Sequence, residues 1–281
     1  MTLFTHMSAS DIPFAVKLSS QEEWETPPSD FKRILRLNPY GSFVAREGNS
    51  RVGMITSITY GKDLGWIGNV IVDKRYRRKH IGRRLMQYTV EHLKSIHVKH
   101  IGLYCFENNV EFYKKLGFVA MVHFVRLRRP RKPMKTSEHE TRKRPSLSAL
   151  VNMDRKAFGA DRSKLIRSWI AEKSATYFGF TNQEKSAFLF VKSYSDMFDL
   201  GPGAAFNASN EDLSELLTES IGYACRRPIE VSCLAQNRRM LRLLGESGFR
   251  TINRGFRMYL NHDPRLGVDK SAILIGFPDK G

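Results

Sequence analysis

Apolar and polar positions alternate along the first sixty residues in a way that names the elements in turn. Thr2–Thr5 reads as a first strand. Ser8-Ala9-Ser10-Asp11 supplies helix-cap residues ahead of the apolar positions Ile12, Phe14, Ala15, Val16 and Leu18. Gln21–Asp30 is acidic, holds two prolines, and reads as a loop into a helix that begins near Ser29 and turns Phe31, Ile34 and Leu35 inward. Gly41–Arg46 and Val52–Tyr60 read as strands joined by the turn Glu47-Gly48-Asn49-Ser50, a hairpin pattern. Gly61–Gly65 is a further turn into Trp66–Val72. The β-branched run Val70-Ile71-Val72 then ends in a basic turn, and from Ile81 the apolar positions Leu85, Met86, Val90, Leu93 and Ile96 recur at helical spacing. His100–Cys105 is another strand, Asn108–Phe118 a helix ending in Leu-Gly-Phe, and Val119–Leu127 a strand.

A change of composition follows. Arg126–Pro145 is dense in arginine, lysine and proline and reads as a linker. Beyond it two helices are expected around Leu147–Phe158 and Ser163–Ile170, a strand pair at Thr176–Phe180 and Ala187–Lys192, and a third strand at Asp196–Leu200. A capped helix at Asn210–Ala224, a strand at Pro228–Leu234, a helix at Asn237–Gly248 and a strand at Arg250–Leu260 complete the second half. The apolar tail Ala272–Phe277 reads as an added strand. The order of elements repeats: Gly248-Phe249 answers Gly117-Phe118, with Leu244 in the place of Tyr113 and Asn237 in the place of Phe106. The expected division is 1–128, a basic linker 129–145, a second domain 146–265 and a tail 266–281.

The chemistry concentrates where the strand ending at Val72 runs through Arg77-Arg78-Lys79-His80 into the helix. Such a turn presents unpaired backbone N–H groups and the positive end of a helix dipole, a ready site for an anion and, with this many cations, for a pyrophosphate. Composition supports packed domains: 281 residues are 41% hydrophobic and 11% aromatic. No apolar run reaches the ~18 residues of a membrane span, and no secretory leader is expected. Cys105, Cys225 and Cys233 lack a paired spacing, which suits a reducing cytoplasm and no metal site. The net charge of +18 reads first as a solvated basic surface; an RNA partner is the weaker use of it.

The run R-R-K-H-I-G at Arg77–Gly82 resembles the acyl-CoA signature of GNAT-type N-acetyltransferases, (Q/R)-x-x-G-x-(G/A), which follows a strand and opens a helix. Arg77 and Gly82 match; His80 stands where the first glycine is usual, a residue dearer than glycine at positive φ but able to adopt it. The helix carrying Tyr113 and ending in Leu-Gly-Phe resembles the other half of the pattern. The resemblance implies an α/β (α+β) fold of two tandem GNAT-like domains, each a mixed, mostly antiparallel sheet flanked by helices. It implies acetyl-CoA as co-substrate, with Val70, Ile71 and Val72 pairing the pantetheine arm and Arg77, Arg78, Lys79, His80, Ile81, Gly82 and Arg83 holding the pyrophosphate. Tyr113 would return a proton to the departing thiolate. The loop bearing Glu22, Glu23 and Trp24 would lie over the acceptor. Glu23, Asp63 and His80 are candidate bases, and the amine acceptor stays open among a polyamine, an amino acid, an aminoglycoside-like compound and a protein amine. Phe106 stands where the family often has an asparagine, with Asn108 and Asn109 close by. An acyl-cysteine at Cys105 is disfavoured, because a lone cysteine on an apolar strand is usually inert. The second half lacks both the basic turn and the tyrosine and is expected to be catalytically silent. Two other classes remain in view: a CoA-binding sensor or scaffold without turnover, and a basic RNA-associated protein.

Overall fold

A computed structural model of the chain describes residues 2–280 apart from 25, 134–142, 174, 263, 265, 268 and 277. Most of the basic linker therefore lies outside the described residues. The N-terminal half begins β1 (Thr2–His6), α1 (Ile12–Ser20), α2 (Pro28–Leu37), β2 (Phe43–Glu47), β3 (Ser50–Tyr60) and β4 (Leu64–Val72). It continues α3 (Ile81–Ser95), β5 (His100–Phe106), α4 (Val110–Lys114) and β6 (Phe118–Arg129). The C-terminal half begins α5 (Leu147–Phe158), α6 (Ser163–Ala171), β7 (Ala175–Thr181), β8 (Ser186–Ser193) and β9 (Phe198–Phe206). It closes with α7 (Asn210–Ala224), β10 (Ile229–Leu234), α8 (Arg238–Glu246), β11 (Arg250–Leu260), β12 (Ala272–Leu274) and a 3-10 turn at Pro278–Lys280. Among the described residues no helix is long and apolar enough to cross a membrane.

The two halves share one sheet, ordered β1-β2-β3-β4-β5-β11-β6-β10-β9-β8-β7, with β12 on β9. The closing strands are exchanged. β11, from the second half, pairs with β5; β6, from the first, pairs with β10; and β6 and β11 pair antiparallel at the centre. Gly255 lies at this crossing: a Cβ there would stand 2.1 Å from the Cys105 carbonyl oxygen, so only glycine lets β11 approach β5. One apolar cluster runs across the junction, joining Trp66 and Tyr60 of the first half to Phe158, Phe188 and Phe190 of the second. At its middle the Arg257 guanidinium is fully buried; it donates to the hydroxyls of Tyr259 (2.9 Å) and Tyr104 (3.2 Å) and to the Gly267 carbonyl (3.0 Å).

In each half a parallel pair of strands opens partway along. β4 and β5 stay in register only from Leu64↔His100 to Ile67↔Leu103. Beyond this β4 bulges: Gly68 pairs Thr56 and Ile71 pairs Met54, so Asn69 and Val70 face a single residue of β3, and Asn69 takes φ +49°. β9 and β10 pair only from Phe198↔Ile229 to Leu200↔Val231. There the opening is filled by the chain's own end. β12 pairs β9 at Ala272↔Ala204 and Leu274↔Gly203, Ile275 N–H donates to the Ser232 carbonyl of β10 at 2.9 Å, and Asn237 Nδ2 donates to the Ala272 carbonyl at 3.2 Å.

The third strand of the second half departs from expectation. β9 continues through Gly-Pro-Gly to Phe206, beyond the expected end of the strand at Leu200. Glycine and proline weaken a strand by lost side-chain contacts and a lost donor. Here β8 holds one edge of the segment and β12 the other. A Cβ on Gly203 would fall 3.0 Å from the Phe188 carbonyl oxygen, so the packing admits only the smallest residue there.

Candidate active site

The turn between β4 and α3 has the shape its composition implies. Asp73 caps a short 3-10 turn, accepting from Arg75 N–H at 2.9 Å. Arg78 takes φ +66°, and His80 precedes α3 at φ 57°, ψ 13°. Histidine thus occupies the left-handed position that glycine would hold without strain. Its side chain makes no cap hydrogen bond, and the helix ladder opens with the bond from Arg84 N–H to the His80 carbonyl. The first N–H groups of a fifteen-residue helix are therefore left facing outward. Ile81 is buried in the core beneath. Gly82 has only ordinary contacts ahead of it: a Cβ would meet Val72 at 3.6 Å and Phe112 at 3.7 Å. Arg78, Lys79, His80 and Arg83 are exposed around the turn. Arg77 is engaged elsewhere: its guanidinium donates to the Val72 carbonyl at 3.0 Å and pairs with Glu22, tying the α1–α2 loop to the end of β4.

Where β4 and β5 part, a cavity of ≈ 210 Å³ opens. One wall is Ile67, Gly68 and Asn69 of β4 with Tyr104, Cys105 and Phe106 of β5, and Tyr113 and Asn109 close it from the side of α4. Burial pushes the Tyr113 phenol above its usual pKa, with the nearby Cys105 adding to the effect, so it is fully protonated at neutral pH. Burial likewise pushes the Cys105 thiol up to about 12. A thiol so placed carries almost no thiolate at neutral pH and is a poor nucleophile. Asn109, rather than a residue at the Phe106 position, brings an amide to the cavity.

The remaining walls come from elsewhere in the chain. The α1–α2 loop contributes Glu23, at φ +59°, and Trp24. The central strand β6 contributes Arg126 and Arg128, and the second half contributes Asp196, Met197 and Glu230. The C-terminal 3-10 turn contributes Asp279. Arg126 donates to Glu230 (2.8 Å) and to Ser232 (2.9 Å) and faces Asp199 at 3.5 Å. Asp199 is 2% exposed, and burial outweighs Arg126 to push its carboxyl up to about 7.

The turn carrying Asp279 is fixed by a buried charge cluster. Lys280 Nζ lies 3.0 Å from Asp30 and 2.7 Å from Asp279, and Tyr60 donates its hydroxyl to the Lys280 carbonyl. Lys192 and Arg33 also pair with Asp30, and Arg33 with Glu172. Burial alone would raise the Asp30 carboxyl; Lys280, Lys192 and Arg33 outweigh it and hold the group far below its usual range.

Of the residues singled out from sequence, Tyr113 and Glu23 share the cavity. Val70, Ile71 and Val72 form the end of β4 leading from it to the turn. Asp63 does not approach: it sits in the β3–β4 turn, 60% exposed and paired with Lys99 at 2.9 Å. Asp196, Glu230 and Asp279 carry no signal in the sequence, because they reach the cavity only through the pairing of the second half with β6 and through the docked tail. The apolar run before Pro278 marks the tail as buried without saying where.

The Acetyltransferase (GNAT) family model matches residues 9–118, and an Acetyltransferase (GNAT) domain model matches residues 150–271. A glucosamine 6-phosphate N-acetyltransferase of Arabidopsis thaliana is 36% identical over 53 residues, 19% of this chain and 36% of that relative, so the chain spans about a third of the curated relative's length. A candidate acetyltransferase from Pyrococcus horikoshii has the same fold at a TM-score of 0.79 and 23% identity, over 100% of this chain and 96% of that one. A tandem GNAT protein from the clavulanic acid biosynthesis pathway superposes at 0.67 with 13% identity, over 92% of this chain and 98% of that one. With a GNAT domain matched in each half and the tandem fold shared end to end, the chain belongs to the GNAT acetyltransferase superfamily as a two-domain member.

Proposed function

We propose that the N-terminal half, residues 1–128, transfers an acetyl group directly from acetyl-CoA to a primary amine, and that the second half, 146–265, is a silent partner that walls the acceptor side. The observation that carries this reading is the opening between β4 and β5, which leads from the turn at Arg78–Arg83 into a cavity lined by Tyr113. The outward N–H groups and cations of that turn suit the pyrophosphate, with His80, Ile81 and Gly82 contributing backbone. Arg77 then acts by holding the Glu22 loop as well as by its charge. Val70–Val72 and the bulge before them offer backbone groups to the pantetheine arm and to the thioester carbonyl, where an N–H stabilises the developing oxyanion. The protonated Tyr113 donates to the departing thiolate. The high thiol pKa of Cys105 supports direct transfer over an acyl-cysteine. Three buried, unpaired cysteines support a reducing compartment such as the cytoplasm.

Calorimetry with acetyl-CoA, alongside thiol release with a panel of amines, tests the reading. Gly82→Glu places a carboxylate against the phosphates and lowers affinity on the order of 10-fold or more. Tyr113→Phe retains binding and lowers kcat on the order of 10²-fold. Wild-type binding without thiol release would favour a CoA-binding sensor, and no binding at all would sink the proposal.

A further inference from the structure

The acetyl-transfer reading leaves one chemical requirement open. An alkylammonium with a pKa of ~10.4 is almost wholly protonated at pH 7, and only the free amine attacks a thioester. Glu23, Asp63 and His80 are the bases the sequence suggests. Asp63 is remote, His80 belongs to the turn outside the cavity, and Glu23, though it lines the cavity, is itself exposed on a half-buried loop.

The C-terminal turn supplies a better-placed group. Asp279 lies against the β4 bulge: a Cβ on Gly68 would fall 2.6 Å from the Asp279 carbonyl oxygen, and Asn69 Nδ2 is 3.4 Å from Asp279 Oδ2. That bulge is the point at which β4 leaves β5, where the reading puts the thioester carbonyl. The Asp279 side chain is 14% exposed and faces the cavity. Lys280 donates to Oδ1 at 2.8 Å and to Oδ2 at 2.7 Å. A carboxylate has about four acceptor positions, so with Asn69 and Lys280 in place one on Oδ1 stays open. The turn is held by the buried Lys280–Asp30 pair and the Tyr60 hydroxyl, so the carboxylate is set on a rigid support. The cavity as a whole is lined by four carboxylates (Glu23, Asp196, Glu230, Asp279) against two guanidiniums (Arg126, Arg128), in a chain of net charge +18. Glu230 is taken up by Arg126 and Arg128.

We propose that Asp279, carried into the first half's cavity by the C-terminal tail, holds the acceptor's ammonium group and takes its proton before attack. This rests on the acetyl-transfer reading. The ammonium gives one proton to the Asp279 carboxylate, and the freed nitrogen lone pair forms the C–N bond to the thioester carbon. As the tetrahedral adduct collapses the C–S bond breaks with its electron pair going to sulfur. Of the ammonium's three hydrogens one stays on the amide nitrogen. The thiolate takes a proton from Tyr113, which a second ammonium hydrogen replaces by way of solvent, and the proton on Asp279 passes to solvent. The net products are amide, thiol and one proton.

The test is thiol release from acetyl-CoA between pH 6.5 and 10 with a diamine, an amino acid, an aminoglycoside and a lysine peptide as acceptors. The wild type is compared with Asp279→Asn and Asp279→Glu, with acetyl-CoA affinity followed by calorimetry. At pH 7 Asp279→Asn lowers kcat/KM for the amine on the order of 10²-fold, with acetyl-CoA affinity retained. The deficit closes towards pH 10, where the amine deprotonates unaided, and Asp279→Glu recovers part of the rate. A deficit of equal size at every pH would mark a structural role and overturn the assignment, as would an unchanged rate in Asp279→Asn. Thiol release by no amine in the wild type would sink the acetyl-transfer reading itself, and the assignment with it.

Discussion

His80 shows how far single residues can be read. The motif puts a histidine where glycine is usual, the physics of positive φ says a histidine there is strained yet possible, and the residue adopts φ 57°. The cationic turn was legible in the same way, from residue type and spacing, whereas Tyr113 and Glu23, which line one cavity, were pointed to by the resemblance to the GNAT pattern. Side-chain direction was not: the turn of Arg77 towards Glu22 depends on a loop whose path no local pattern gives. Nor was Asp199, an ordinary aspartate in sequence, whose burial beside Arg126 pushes its carboxyl from 3.8 up to about 7. The sign of its effect follows. Because its folded pKa is raised, the protonated form is favoured by folding, and its contribution to stability is fully present below about pH 4 and lost as pH rises through about 7. Asp199→Asn keeps the shape without the titration. Its stability gain over the wild type should open from about pH 4 and be complete above about pH 7, reaching up to about 4 kcal/mol at 1.36 kcal/mol per tenfold. Urea denaturation at pH 4, 6 and 8 checks this; a gain independent of pH would mean Asp199 is ionised in the fold throughout.

At the scale of elements, periodicity served well wherever the element packs one face. α3 is amphipathic and its start and end match the pattern; β2 and β3 follow their turn signal. Strand partners were another matter. β6 and β11 both follow a Gly-Phe corner and both carry alternating apolar positions, so either could pair with β5 by local pattern. What decides is close approach at single positions. Gly255 opposes Phe106 in β5, and its missing Cβ leaves room for the Cys105 carbonyl. Gly255→Ala forces a methyl to 2.1 Å from that oxygen, with Phe124 ring atoms at 2.6 Å behind it. Backbone cannot yield as a side-chain tip can, so the cost should be at least about 3 kcal/mol, above the usual range for overpacking. The equilibrium midpoint in urea reads this out. A change below about 1 kcal/mol would show that β11 can shift along β5 without loss.

The whole molecule is two copies of one plan, used differently. Each half opens a parallel strand pair at the same place; in the first the opening faces a cavity, and in the second β12 lies in it. The second half also has Leu244, fully buried, where the first has Tyr113. Its opening is therefore closed to a pantetheine arm by the chain's own backbone, which has taken up the Gly203, Ala204 and Ser232 partners a ligand would need. Displacing the tail would expose Ile273 and Leu274, 4% and 1% accessible, at roughly 1.5–3 kcal/mol each, and would unpair the buried Lys280–Asp30 contact as well. Millimolar acetyl-CoA binding offers about 4 kcal/mol and does not outweigh that. One chain should therefore take one acetyl-CoA. Calorimetric titration should give a stoichiometry of one, with Gly82→Glu weakening that single site and leaving no second, weaker isotherm behind. A stoichiometry of two would mean that β12 leaves its place in solution, and the second half would then have to be counted as a cofactor site in its own right.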